Sequence, residues 1–142
     1  MRLAFLGSPE AAVPALDALV AAGHDVELVV SMPDRRRGRG GATSATPVKL
    51  AAERLGLRVT DQLEEIARAE VELGVVVAYG RIIPSEMLER TPMVNLHFSL
   101  LPRWRGAAPV ERAILAGDAT TGVCVMAVEP GLDTGGVYAS AT

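Results

Sequence analysis

Residues 2–30 read RLAFLGSPEAAVPALDALVAAGHDVELVV, and their pattern decides the fold class. Arg2–Gly7 is a compact apolar run closed by glycine, as a buried strand should be. Ser8 then stands as a candidate N-cap, with Pro9 at the first helical position and Glu10 just inside. Val13, Leu16, Leu19 and Val20 recur at helical spacing until Gly23, and Val26–Val30 is a second apolar strand. Strand, helix and strand in this span imply a βαβ unit, hence a parallel sheet with a right-handed crossover. The first turn, Gly7-Ser8-Pro9-Glu10, lacks the G-x-G-x-x-G pattern, so a dinucleotide site finds little support. His24 reads as an exposed turn residue.

The same grammar continues outward. Pro47 to Leu55 is helical and stops at Gly56; Leu57–Val59 is a short strand, and Asp61–Ala69 a helix capped by Asp61. Leu73–Ala78 is a Val-rich run of the kind buried on both faces of a sheet. It leads into Tyr79-Gly80 at a strand's carboxyl end, where open α/β sheets hold ligands. A short helix over Ser85–Arg90, a strand over Met93–His97 and a helix over Pro109–Ala116 follow. Gly117-Asp118 ends that helix, and strands over Thr121–Val128 and Val137–Ala141 flank a glycine-rich connection. The expected architecture is α/β and Rossmann-like: a mostly parallel sheet with helices on both faces. Between these elements, residues 32–46 read MPDRRRGRGGATSAT, with almost nothing apolar to pack. A long mobile loop is expected there, either a phosphate clamp or a solvated basic segment.

A chain of 142 residues suffices for one domain with a sizeable core. The net charge of −3 gives no global reason to expect a polyanionic partner. It hides a local excess, however: Arg35, Arg36, Arg37 and Arg39 lie within five positions, and local charge is what a polyanion senses. Cys124 is the only cysteine, which excludes an intrachain disulfide and fits a reducing compartment. The opening residues read as a strand rather than a signal peptide, and charges or turn residues interrupt every apolar stretch before membrane length. A cytoplasmic location without membrane contact is expected.

The chemistry-bearing stretch is Met93–Gly106, MVNLHFSLLPRWRG. On a strand, Met93, Asn95 and His97 share one face. Two polar groups on an otherwise apolar face each cost a few kcal/mol if buried unpaired, so they need partners or a cleft. An amide donor beside an imidazole suits a reaction in which oxyanion charge develops and protons move. A strand-end pair that merely caps nearby backbone is the alternative.

These residues resemble the formyltransferase family that uses 10-formyltetrahydrofolate, most closely its members that act on methionyl initiator tRNA. Asn95-Leu96-His97, Ser99-Leu100-Leu101-Pro102-Arg103-Trp104-Arg105-Gly106-Ala107-Ala108-Pro109, Thr121-Gly122-Val123 and Gly131-Leu132-Asp133-Thr134-Gly135 carry the match in order. Val76-Val77-Ala78-Tyr79-Gly80 and Pro33-Asp34-Arg35 support it. The resemblance implies a catalytic set of Asn95, His97 and Asp133. It implies that Ser99, Leu100, Leu101 and Pro102 contact the folate, and that Val77, Ala78, Tyr79 and Gly80 help line the pterin pocket. Arg35, Arg36, Arg37 and Arg39 would reach the tRNA acceptor stem, although the lysines often found after the loop glycines are missing here. No metal is implied. A sugar-nucleotide N-formyltransferase shares the trio and is the nearest rival; a non-catalytic folate- or tRNA-binding fragment is another. Members acting on tRNA continue beyond this length into a C-terminal β-barrel domain. Residues 1–142 are therefore expected to be an N-terminal catalytic domain, truncated at its C-terminal end.

Overall fold

The computed structural model describes residues 1–142, except for the side chain of Arg37. The chain divides into two compact units, Met1–Ile82 and Ile83–Thr142.

In the first unit, β1 (Arg2–Gly7), β2 (Asp25–Val30), β5 (Val59–Thr60) and β6 (Leu73–Val77) pair in parallel in the order β5-β2-β1-β6. The expected βαβ unit is present, with α1 (Val13–Ala21) between β1 and β2. Phe5, Leu6, Leu16, Leu28, Val29, Val30 and Val77 are fully buried, as continuous apolar strands covered by helices should be. Gly7 is demanded by space: a Cβ there would lie 2.8 Å from the Val77 carbonyl oxygen and 3.1 Å from the Ala12 Cβ. Turn and strand end pack too closely for any side chain.

Ser8 does not cap a helix. A 3₁₀ turn over Glu10–Ala12 precedes α1, and the Ser8 hydroxyl instead donates to the Tyr79 carbonyl at 3.0 Å and accepts the Met32 N–H at 3.2 Å. It thus joins the chain segments leaving β1, β2 and β6, because three parallel strands end together and leave backbone groups without a ladder. Leu63–Arg68 is likewise 3₁₀ rather than an Asp61-capped α-helix. Thr46 is a true cap: its hydroxyl accepts the Lys49 N–H at 3.1 Å ahead of α2 (Pro47–Arg54), with Pro47 in the first turn.

The arginine-rich segment is not a structureless loop. β3 (Arg35–Arg37) and β4 (Ala42–Ser44) form an antiparallel hairpin, with Arg35 opposite Ser44 and Arg36 opposite Thr43. Gly38 and Gly41 supply positive φ in its turn. A hairpin ladder satisfies backbone groups without apolar side chains, which hydrophobic patterning cannot register.

In the second unit, β7 (Met93–His97), β8 (Val123–Ala127) and β9 (Val137–Ala141) run antiparallel in that order. α3 (Ser85–Arg90) and α4 (Pro109–Leu115) complete the unit.

Gly7→Ala is expected to destabilise the protein by about 1–3 kcal/mol, the usual cost of overpacking. Equilibrium urea unfolding checks this; an unchanged midpoint would show that the turn can yield.

Candidate active site

Asn95 and His97 alternate along β7, opposite Met126 and Cys124 of β8. Opposed residues present their side chains to the same face, so two buried apolar side chains, each 2% exposed, lie beside the pair. The Cys124 thiol is free and buried, consistent with packing. His97 is only 6% exposed, whereas Asn95 is partly open and its amide makes no hydrogen bond among the described residues. A polar amide free at the rim beside a buried imidazole leaves its donors available to a ligand.

Each imidazole nitrogen has a defined neighbour. Nε2 lies 2.8 Å from the Trp104 carbonyl oxygen, which can only accept, so Nε2 carries a proton. Nδ1 lies 3.6 Å from Asp133 Oδ2, too far for a direct hydrogen bond but within ion-pair range when the ring is charged. The same Asp133 oxygen accepts the Gly106 N–H at 2.7 Å. Backbone groups two residues apart in one loop therefore hold both partners.

That loop, residues 98–108, joins β7 to α4. Trp104 (φ 61°) and Ala108 (φ 52°) adopt left-handed backbone, as do Gly106 and, across the site, Asp133 (φ 49°). Such conformations cost non-glycine residues on the order of 1 kcal/mol or more each and persist where surrounding contacts over-determine them. The contacts are present. The fully buried Ser99 donates to the Arg103 carbonyl at 2.5 Å, and Arg112 Nη1 donates to the Arg105 carbonyl at 2.6 Å. Asp118 accepts from Trp104 Nε1 at 2.7 Å and from Arg103 Nε and Nη2 at 2.8 and 2.6 Å. The Arg103 guanidinium, and next to it the Trp104 indole, hold the Asp118 carboxyl down at about 2.

The remaining expected site residues fall as follows. Leu100 borders a cavity of about 300 Å³ with Trp104 and Asp118, Leu101 is half-buried and Pro102 exposed, while the Ser99 hydroxyl is spent within the loop. Val77, Ala78, Tyr79 and Gly80 belong to the first unit. Ala78 and Gly80 are exposed at positive φ, whereas Tyr79 between them is buried, only 2% exposed. Its hydroxyl has no partner among the described residues, and burial pushes its pKa up. Arg35, Arg36 and Arg39 are exposed on the hairpin; the Arg37 side chain lies outside the described residues. Sequence reasoning passed over Asp118, read only as the stop of α4, and over Gly106 as an anchor. The Trp104-Arg105-Gly106 cluster was the available signal, but a backbone carbonyl as the histidine's partner leaves no trace in residue types.

Among the described residues, no group of three His, Cys, Asp or Glu side chains is placed to hold a metal, and no helix is long and apolar enough to cross a membrane.

An α/β domain whose polar trio gathers at a strand's carboxyl end has the layout of an enzyme domain. The formyl transferase family model matches residues 1–142, and the chain belongs to that family. It is 51% identical to the methionyl-tRNA formyltransferase of Roseobacter denitrificans, over 98% of this chain and 49% of that protein. It is 50% identical to the enzyme of that name from Neisseria meningitidis, over 96% of this chain and 48% of that protein. The chain thus spans about half the length of the curated relatives it matches. Among solved structures, phosphoribosylglycinamide formyltransferase from Bacillus halodurans superposes with a TM-score of 0.81 at 22% identity, covering 99% of this chain and 78% of that one, a likeness of fold. Glycinamide ribonucleotide transformylase 1 from Geobacillus kaustophilus gives a TM-score of 0.77 at 27% identity, covering 99% of this chain and 80% of that one.

The depressed carboxyl of Asp118 has a signed consequence. Its contribution to stability is complete above its ordinary value of 3.8 and is lost as pH falls through about 2. In acid unfolding, Asp118→Asn is expected to remove that part of the pH dependence; identical slopes in both proteins would show that the clamp does not couple to folding.

Proposed function

We propose that this domain transfers a formyl group from 10-formyltetrahydrofolate to the α-amino group of methionyl initiator tRNA. One observation carries the reading: identity near 50% to proteins named methionyl-tRNA formyltransferase runs through almost the whole chain, across Asn95, His97 and Asp133.

The chemistry suits those groups. The free amine attacks the formyl carbon, the carbonyl oxygen gains negative charge, and the bond from that carbon to the folate nitrogen breaks. The Asn95 amide, without a partner among the described residues, donates to the oxyanion, and such a donor is typically worth about 3–4 kcal/mol. Protonated His97 adds positive charge beside it; its Nε2–H is engaged by the Trp104 carbonyl, so Nδ1 is the nitrogen that acts on the site. Asp133 takes the proton the amine loses, through water, and returns it by the same route to the departing folate nitrogen, so charge and atoms balance. The buried Met126 and Cys124 beside the pair lower the local dielectric and strengthen these interactions.

Folate contacts fall to Leu100, Leu101 and Pro102 with Ser99 bracing them, and the pterin to the exposed backbone of Ala78 and Gly80 beside Val77 and Tyr79. Arg35, Arg36, Arg37 and Arg39 meet acceptor-stem phosphates, a contact arginine makes through paired donors. The protein works in solution in the cytoplasm.

Formyl transfer to charged initiator tRNA, measured beside transfer to an amino-sugar nucleotide, tests the reading; activity on the sugar alone would replace it. His97→Ala and Asn95→Ala should each lower kcat by roughly 10²–10³-fold with folate affinity little changed. Near-normal rates would remove the residue from the chemistry. Replacing the four hairpin arginines by serine should weaken tRNA binding and flatten its salt dependence by up to about four counterions' worth of slope. An unchanged slope would take the hairpin out of the interface.

A further inference from the structure

We infer that Asp118 is a positioning residue for His97, acting through the Trp104 backbone. The inference rests on the formyl-transfer reading for its catalytic consequence, though not for its geometry. His97 and Asp133 do not set their own arrangement, because 3.6 Å separates Nδ1 from Oδ2. Their positions come from the loop between them: the Trp104 carbonyl takes Nε2–H and the Gly106 N–H holds Asp133. What points that carbonyl at the histidine is the left-handed backbone of Trp104, a conformation that needs an outside restraint.

Asp118 supplies the restraint from the far side of the loop. One of its oxygens grips both the Trp104 indole N–H and Arg103 Nε, and the other grips Arg103 Nη2. The Arg103 guanidinium lies 4.3 Å from the indole centroid and that of Arg112 lies 5.1 Å from it. The ring is therefore held at its edge by a carboxylate and beside its plane by two cations. A cavity of about 300 Å³ lined by Leu100, Arg103, Trp104, Asp118 and residues 119–121 borders the clamp. Apolar packing thus does not hold the indole on that side, and the Asp118 hydrogen bonds do. With the carboxylate gone, the ring can turn into the cavity, Trp104 relaxes its backbone, and its carbonyl leaves Nε2.

The side chain of Asp118 lies one residue layer away from the reacting groups, so its effect must be read at His97 itself. The chain has two histidines, which makes the measurement clean. In a proton–nitrogen correlation spectrum of the 142-residue protein, His97 Nε2–H should give a resonance protected from exchange with water, with His24 serving as internal reference. Asp118→Ala and, separately, Trp104→Phe, which keeps a ring but loses the indole donor, should each abolish that resonance or speed its exchange by tenfold or more. Asp118→Asn keeps an acceptor for the indole and should restore part of the protection. In the transfer assay kcat should fall roughly 10–100-fold, as for other partners that orient a working histidine, with KM for both substrates within about twofold. If Trp104→Phe, folded by its amide spectrum, keeps the protected proton and the wild-type kcat, Asp118 is only a fold anchor and the inference fails. Should no variant, nor the parent protein, transfer formyl groups, the proton measurement still decides the positioning role, and only the functional reading falls.

Discussion

A buried imidazole must place both of its nitrogens, and His97 places one on the Trp104 carbonyl at 2.8 Å. That bond decides which nitrogen carries a proton and which is left facing Asp133. It also ties the strand β7 to a loop that would otherwise have no reason to hold a left-handed tryptophan. The arrangement of the second unit follows from it. The same loop carries the Gly106 N–H to Asp133, and its other end starts α4, where Arg112 reaches back to the Arg105 carbonyl. A short backbone segment thus acts as the template on which a histidine from one strand and an aspartate from a distant turn are set.

Templates of this kind need rigidity, and here it comes from charge-assisted hydrogen bonds rather than from apolar filling. Asp118 with Arg103 is a partly solvated pair whose worth as a surface salt bridge alone would be small, and Arg112 adds charge-assisted hydrogen bonds to backbone carbonyls. Their geometry is what counts: bidentate or converging bonds restrict direction far more than a single exposed pair does. Apolar packing plays the complementary part: Met126 and Cys124, each 2% exposed, flank Asn95 and His97 on the neighbouring strand and shield that side of the pair from water.

The first unit obeys a different constraint. Three parallel strands end at the same level, and their last backbone groups have no ladder to join. Ser8 answers this by accepting from Met32 and donating to Tyr79, while Gly7 clears the space that lets the turn approach Val77. The exposed, positive-φ backbone of Ala78 and Gly80 lies just past this knot. A strand end that is fixed but bare is a surface a flat ligand can approach.

The sequence by itself determined the βαβ beginning, the buried Val-rich strand, the placement of Asn95 and His97 on one strand face, and the resemblance that brought in Asp133. These were legible because apolar periodicity and residue type are local properties, carried by neighbours along the chain. The hairpin at Arg35–Ser44, the 3₁₀ turns in place of capped helices, the inward turn of Tyr79 and the clamp at Asp118 were not. Each depends on a backbone group or on a partner many positions away, which no pattern of side chains records. Residue types named the histidine, and only the tertiary structure chose its proton.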